Sequence, residues 1–566
     1  MQVPDFLRSF YFRPRLMAHL RTYTLADFGA DLAAGATVAV VALPLAMAFG
    51  IASGVRPEQG IITAIVAGFL ISAFGGSRVQ VGGPAGAFVA LLYSIAEKYG
   101  VANLLIATMM AGVMLFAMGA FKLGNLVRFV PVSIVIGFTN GIAVIVAISQ
   151  LKDFLGLAID KAPSNFFSQL GAIASSIHTF NWQALAIGAV SLVIILMWPL
   201  SYQAQSSRTR HIIAKLPSTI VVLMLSSLMV WWFKLPVETI GSKFGALPSG
   251  LPMPAFPSFN WATAQNLVAP TIAIAFLCAI ESLLCARVAD DMIADRHDPN
   301  QELMAQGIAN FFSPFFGGIA ATGTIARTVT NVRSGARTPI AGIVHALVLF
   351  LIILFAAPLA STIPLSALAA ILLWVAWSMG DWREFMKLGQ FSMFYRATLL
   401  TTFALTVIFD LVVAIEVGLV LASMFFIYRI SSVTKVQPIA LPDAVAHPAP
   451  GVEVAAYRIF GSLFFASVTK LEALLNPDRV LPKVLVLELH QLINLDTTGL
   501  DALEKLHALL QRRGSFLLIA GATEQPLSLM KRGGFITSLG ENCVVDSLGD
   551  ALNIAAELTA PMAPVR

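Results

Sequence analysis

Two rhythms divide this chain. From residue 32 to 428 apolar residues come in long unalternating blocks, separated by short polar or Gly/Pro-rich breaks. Such blocks predict membrane-spanning helices. They fall at 32–55, 61–74, 101–121, 129–151, 182–200, 217–233, 269–286, 303–315, 338–359, 364–379, 397–409 and 411–428. Pro44 lies inside the first block and predicts a kink or an unwound turn there. After residue 428 the rhythm shortens. A Pro/Ala-rich stretch reads as a linker, and from Val452 strand-length apolar runs alternate with amphipathic helices. Strands are predicted at 454–460, 484–489 and 516–520, and helices at 500–513 and 548–558. The predicted division is an N-terminal segment (1–30), a membrane domain (31–432), a linker (433–451) and a small α/β domain (452–566) of ordinary domain size.

One break differs from the rest. Phe316 to Arg337 is small and Gly-rich, yet it carries Arg327 close to hydrocarbon depth. Irregular backbone at that depth is tolerated only inside protein or beside a wet cavity. A helix restarting near Thr324 aims the free N–H groups of Thr324, Ile325 and Ala326 into that cavity, just after Gly323. A helix N-terminus carries roughly half a positive charge, and Arg327 adds a full one. Together they predict an anion site; the alternative is a packing kink whose arginine pairs with an acid. A second break, from Phe74 to Ala87, precedes a short apolar helix ending at Ala96. Pro84 suits a first helical position. The open end is predicted at Ala85, Gly86 and Ala87.

The two breaks echo one another. Phe74-Gly75-Gly76 and Phe316-Gly317-Gly318 each precede a short interrupted segment, and Val130-Pro131 and Ile363-Pro364 each open a later span. Interrupted segments in matching places point to inverted repeats with a site at the membrane midplane.

Composition agrees and adds limits. The 566 residues are 57% hydrophobic and 12% charged, with mean hydropathy +0.81; this describes a polytopic protein in a lipid bilayer. The net charge of +5 belongs to cytoplasmic loops, with no role for nucleic acid. With the N-terminus inside, inner loops receive Arg78, Lys122, Arg128, Arg208, Arg210, Lys215, Arg287, Arg296, Arg383, Lys387 and Arg396. Outer loops receive Arg56, Lys98, Lys152, Lys161, Lys234 and Lys243. That bias predicts both termini in the cytoplasm. The N-terminus carries Arg8, Arg13, Arg15 and Arg21 without a cleavable signal pattern. Three cysteines build no disulfide framework.

Glu281 interrupts an apolar helix, where a carboxylate is costly to ionise and readily takes a proton. It is a candidate proton-coupling residue, or a structural partner of Arg327. Cys285 lies one turn on. Asp410 and Glu416 read as structural, and Asp27 and Asp31 as caps of the first helix. His297 with Asp290, Asp291, Asp295 and Asp298 reads as a solvated loop rather than a metal site. No GxxxxGK[ST] pattern occurs, so no ATP motor is encoded. No enzyme chemistry, cofactor or metal is expected. The turn Asp496-Thr497-Thr498-Gly499 reads as a helix cap, with a regulatory phosphorylation at Thr498 as the sharper alternative.

The segments Ala279-Ile-Glu-Ser-Leu-Leu-Cys-Ala-Arg-Val-Ala-Asp290, Gly317 to Thr328 and Asn331-Val-Arg-Ser-Gly-Ala-Arg-Thr-Pro339 resemble the SulP family of anion transporters, and the C-terminal region resembles its STAS domain. The resemblance implies fourteen segments in two inverted repeats of seven, elevator motion of a core against a gate, and a homodimer. It implies a substrate between the third and tenth segments, Arg327 as anion ligand and Glu281 as proton-coupling residue. Cys285 stands where sodium-coupled members bear Thr, which counts against sodium. Leu45 follows Pro44 where many sulfate carriers have Gln. Leu43 to Met47, Gln150 to Leu157 and Ile280 to Ala286 look most like bacterial C4-dicarboxylate carriers of the family.

The expected function is proton-coupled transport of a small anion across a bacterial inner membrane, with C4-dicarboxylates first and sulfate or bicarbonate next. An uncoupled anion channel and a membrane-tethered regulator are the alternatives. A cytoplasmic protein partner is expected at the STAS domain.

Overall fold

The computed structural model describes residues 12–560, apart from 126–129, 160–162, 164, 199–216, 258–260, 410, 449–451 and 476–481. Arg8, Arg128, Lys161, Arg208, Arg210, Lys215 and Asp410 lie outside the described residues. The chain forms two compact units, Met1–Leu419 and Val420–Arg566.

The first unit is helical. Its first half contains α1 (Leu25–Ala52), α2 (Pro57–Phe74), β1 (Gly82–Gly83), α3 (Val89–Tyr99), α4 (Val101–Ala120), α5 (Val132–Leu155), α6 (Phe166–Ser175), α7 (Trp182–Met197) and α8 (Ser218–Phe233). The second half contains α9 (Val268–Ile293), α10 (Pro299–Phe312), β2 (Thr322–Gly323), α11 (Ile325–Arg333), α12 (Ile340–Ala360), α13 (Leu365–Met379) and α14 (Met393–Ile408); α15 (Leu411–Val433) runs into the second unit. Seven of the described helices are long and apolar enough to cross a membrane, and five more are shorter and apolar. With β1–α3 and β2–α11 each taken as one interrupted segment, fourteen segments are traced among the described residues; α6 is an extra helix before α7.

The packing shows the repeat. Exchanging the first seven segments for the second seven turns several of the largest helix contacts into others that exist. The α1–α12 contact becomes α9–α4, α2–α12 becomes α10–α4, and α5–α14 becomes α13–α7. The contacts α2–α10, α5–α13 and β1–β2 map onto themselves. The β1–β2 ladder is antiparallel, pairing Gly82 with Gly323 and Gly83 with Thr322, as a two-fold axis in the membrane plane requires. Segments α1–α4 and α9–α12 form one helix group; α5, α7, α8, α13 and α14 form another. Small residues permit the closest crossings. At α4–α10, a Cβ on Gly112 or Gly307 would press into the other helix's backbone.

Three local expectations change. α1 runs through Pro44 as continuous helix; the proline bends no break into it. Thr24 and Asp27 form the capping box of α1, but Asp31 is buried and accepts from the Arg337 N–H (2.7 Å), the Thr338 N–H (3.1 Å) and the Thr338 hydroxyl (2.5 Å). It therefore satisfies the chain just before α12 rather than capping α1. Ala85, not Pro84, is the residue at which the first half-helix is capped, so the proline sits one residue outside.

The second unit holds a sheet ordered β3 (Lys435–Ile439), β4 (Val454–Leu463), β5 (Val484–Glu488), β7 (Phe516–Ala520), β8 (Val544–Val545), with β6 (Leu492–Leu495) also paired to β4. β3 is antiparallel to β4; the other ladders are parallel. Every β5 residue is buried, as expected of a strand covered on both faces. α16 (Thr497–Arg512) buries Leu503, Leu506 and Leu510 on one side, and a C-terminal helix (Leu548–Thr559) buries Ala551 and Ala555 on the other. The stretch read as linker is corrected here: 435–439 pairs with 456–460 as the sheet's edge strand. Its single proline is tolerated there because an edge strand leaves one row of N–H groups unused.

Candidate functional site

The centre of the first unit is the β1–β2 crossing. Each two-residue strand ends and a half-helix begins. Ala85 caps a short 3-10 turn, Gly86–Phe88, that leads into α3; Thr324 caps α11. Neither cap residue closes the amide row with its side chain, so the first N–H groups of both ends stay open. Which amides are open differs from expectation. The Thr324 N–H is taken by the Val81 carbonyl at 3.0 Å. The open set at α11 is therefore Ile325, Ala326 and Arg327. The ends also differ in access: Ala85, Gly86 and Ala87 are buried, whereas Ile325 is 41% exposed and Ala326 is exposed. Phe49 of α1 and Met379 of α13 cover Gly86.

Arg327 is 1% exposed. Its Nη1 donates to the Gly82 carbonyl at 3.3 Å and its Nη2 to the Pro84 carbonyl at 3.4 Å. The α11 arginine thus reaches across the ladder and holds the approach to the α3 end. Both bonds are long, and among the described residues no carboxylate forms an ion pair with it. The packing-kink alternative, an arginine paired with an acid, does not hold there. Gly83 makes the arrangement possible: its φ is +152°, and a Cβ would overlap Arg327 Nη1.

Glu281 on α9 is half-buried and lies apart from Arg327's hydrogen bonds. The α9 face that meets the crossing is Cys278, Ser282 and Cys285. The Cys278 carbonyl accepts from the Thr322 hydroxyl, Ser282 accepts from the Gln80 amide, and the Cys285 thiol donates to the Thr328 hydroxyl. At about 100° per residue, Glu281 flanks this row by roughly 60°. The helix that carries it, α9, contacts β2 and α11.

Several residues missed by the sequence reading build the scaffold. Glu302 is fully buried and accepts from the Gly76 N–H (2.9 Å), the Ser77 N–H (3.2 Å), the Gln306 amide (2.9 Å) and the Ser282 hydroxyl (3.3 Å). It anchors the turn before β1. Asn310 clamps Ala321 before β2, donating to its carbonyl at 2.8 Å and accepting from its N–H at 2.8 Å. The signal for Glu302 was present, an acid abutting the apolar run from residue 303, but a helix start explained it just as well.

Other candidates stand apart. Among the described residues no three His, Cys, Asp or Glu side chains are grouped to hold a metal; His297 Nδ1 pairs with Asp290 at 2.6 Å. A cavity of about 470 Å³ is lined by Tyr93, Ser94, Lys98, Gln150, Asp153 and Gln169 among others, and none of 85–87 or 323–327 lines it. In the second unit Asp496 caps α16, accepting from the Gly499 N–H at 2.7 Å. Thr498 is exposed in the first turn.

Comparison with known proteins is consistent with this geometry. Residues 28–402 match the sulfate permease family, and residues 445–551 match the STAS domain. YvdB of Bacillus subtilis, provisionally named a sulfate transporter, is 40% identical over 538 residues, covering 94% of this chain and 98% of its own. The bicarbonate transporter BicA of Picosynechococcus sp. is 33% identical over 428 residues, 73% of either chain. Among solved structures, the transmembrane domain of a cyanobacterial BicA matches with TM-score 0.61 at 30% identity, covering 71% of this chain and 98% of that one. The murine solute carrier 26 family member A9 anion transporter, inward-facing, matches with TM-score 0.84 at 17% identity over 98% of this chain and 95% of that one; at that identity the likeness concerns fold alone.

Proposed function

The chain belongs to the sulfate permease family, and from that premise we propose that it is a proton-coupled secondary transporter holding a small oxyanion between the α3 and α11 ends. It is a multi-pass membrane anion transporter, not an enzyme. The observation that carries the site is Arg327, buried beside two open amide rows with no carboxylate paired to it among the described residues. Gly86 and Ala87 would face the solute from one side, and Ile325, Ala326 and Arg327 from the other.

Charge arithmetic narrows the solute. Two helix ends at about half a charge each, plus one guanidinium, give about two positive charges. With Glu281 protonated, that balance suits a dianion. With Glu281 ionised it falls to about one, and a dianion is held less well. This links the proton to the substrate and favours a carrier over an uncoupled channel, which has no use for a costly titratable group there. Sulfate is the first candidate, supported by the name of a relative that spans nearly the whole chain. Bicarbonate is supported by the BicA likeness, but as a monoanion it leaves charge unmatched. C4-dicarboxylates such as succinate remain a second reading, favoured by Leu45 after Pro44 and by two carboxylates that could occupy the two ends.

Transport in this reading moves the α1–α4 and α9–α12 group against the other helices, in the elevator manner. A homodimer, a bacterial inner membrane, cytoplasmic termini, a protein partner at the STAS domain and regulation at Thr498 complete the proposal. The test is uptake into proteoliposomes of labelled sulfate against unlabelled bicarbonate and succinate, with and without an inward proton gradient. Gradient-driven sulfate uptake supports the reading; gradient-independent rates would remove coupling. Glu281→Gln is expected to retain exchange while losing gradient dependence.

A further inference from the structure

The transport scheme leaves one buried titratable side chain of α12 unused. His345 has 0% exposure, and among the described residues neither ring nitrogen has a hydrogen-bond partner. Leaving polar groups buried in that way is costly, so the residue earns its place by something other than stability. Its surroundings are those of the anion site. α12 meets α2 through small residues: a Cβ on Gly68 would lie 3.9 Å from His345 Cδ2 and 3.1 Å from the Gly82 carbonyl oxygen. A Cβ on Gly342, one turn earlier in α12, would meet the Ser72 hydroxyl, itself buried and unpartnered, and would lie 3.7 Å from the Gln80 carbonyl oxygen. The Gln80 carbonyl, just before β1, and the Gly82 carbonyl in it both border glycines of the α2–α12 contact. The Gly82 carbonyl thus borders the same α2–α12 contact as His345. The Gly82 carbonyl is shared: Arg327 Nη1 donates to it, and it adjoins the same glycine as the imidazole.

The charges around His345 are unequal. α12 packs on α1 and α2. On α1, Asp27 bonds Thr24 and Arg337, and Asp31 bonds Tyr23, Arg337 and Thr338. On α2, Glu58 pairs with Arg56. Glu302 of α10 holds the Gly76 and Ser77 amides, and Glu281 lies on α9, which packs on α11. Arg333 sits at the far end of α11, two turns beyond Arg327. Of these groups, Arg327 is the one whose hydrogen bond reaches the Gly82 carbonyl, the atom that borders Gly68 together with the imidazole.

We propose that His345 is a second proton site, tied to the anion through Arg327. The proposal rests on the transport reading above. With the site empty, the guanidinium repels a proton from the imidazole. A dianion at the half-helix ends offsets that charge, and a ring nitrogen then takes a proton from solvent. The proton returns to solvent when the anion leaves. Such coupling is reciprocal: acid tightens the anion, and the anion draws in a proton.

The experiment is isothermal titration of sulfate into the full-length protein at pH 6, 7 and 8, in two buffers of different ionisation enthalpy. It counts protons taken up per anion bound. Wild type is expected to take up protons. Glu281→Gln is expected to reduce the number without abolishing it. His345→Gln is expected to bind sulfate still, to lose part of the uptake, and to flatten the affinity gain from pH 8 to pH 6 by roughly tenfold; the double variant is expected to take up none. His345→Asn, with a shorter side chain, is expected to behave as His345→Gln. Sulfate binding with unaltered proton uptake in His345→Gln overturns this inference and leaves the transport reading standing. Folded His345 variants that bind no anion at any pH also overturn it, because the residue then only packs. A wild-type protein that binds neither sulfate, bicarbonate nor succinate overturns the transport reading and this inference together.

Discussion

The two half-helix ends have one plan and unequal equipment. In both, a two-residue strand enters, a cap residue follows, and a helix restarts with open amides. Three residues past the cap stands Phe88 in one and Arg327 in the other. Both side chains are buried. Phe88 fills space beside an end sealed by Phe49 and Met379, whereas Arg327 brings charge to an end whose Ile325 is exposed. A repeated fold supplies paired dipoles for nothing more than its symmetry. Selectivity needs that symmetry broken, and here one side chain breaks it.

The largest expected effect comes from removing the asymmetry. Arg327→Gln should weaken sulfate binding by about 3 kcal/mol, roughly a hundredfold, in equilibrium binding of labelled sulfate to purified protein. An unchanged affinity would make the two ends equivalent. Gly83→Ala should come next. It keeps the charge but drives a Cβ into the guanidinium at a positive φ; at least a tenfold loss of affinity is expected, by the same binding measurement. Gly323→Ala is the comparison on β2. There the Cβ would overlap the Gln80 amide instead, breaking its bonds to Ser282. A stability loss of about 1–3 kcal/mol is expected, read as a lower thermal midpoint in detergent, with less effect on affinity than Gly83→Ala. Equal binding losses for both glycines would erase the distinction between the strands. The smallest effect on the site should come from removing 434–566. Expression is expected to fall, but the ranking of sulfate, bicarbonate and succinate in competition uptake should survive.

Much of this was legible in residue order. Long apolar blocks marked the spans, and the Gly-rich breaks with Arg327 marked the crossing, because a charge and a run of small residues are both rare in hydrocarbon. The C-terminal strands were legible because a buried parallel strand is a continuous apolar run. What stayed hidden was pairing. Nothing in Lys435–Ile439, mostly exposed and bearing a proline, announces an edge strand; its partner twenty residues on defines it. Asp31 looked like a cap because it stands near a helix start, yet the Arg337 and Thr338 groups that donate to it lie some three hundred residues away. Glu302 and His345 were hidden for the same reason: their neighbours come from other segments. The closed Thr324 amide was equally invisible, since the carbonyl that takes it belongs to Val81 in the other repeat.

The most direct measurement is anomalous diffraction from the protein crystallised with selenate, a heavier stand-in for sulfate. A selenium peak within hydrogen-bond distance of the open amides of α3 and α11, and beside the Arg327 guanidinium, is the predicted result. A well-occupied peak confined to the cavity beside Tyr93 and Lys98, with none at the crossing, would contradict it.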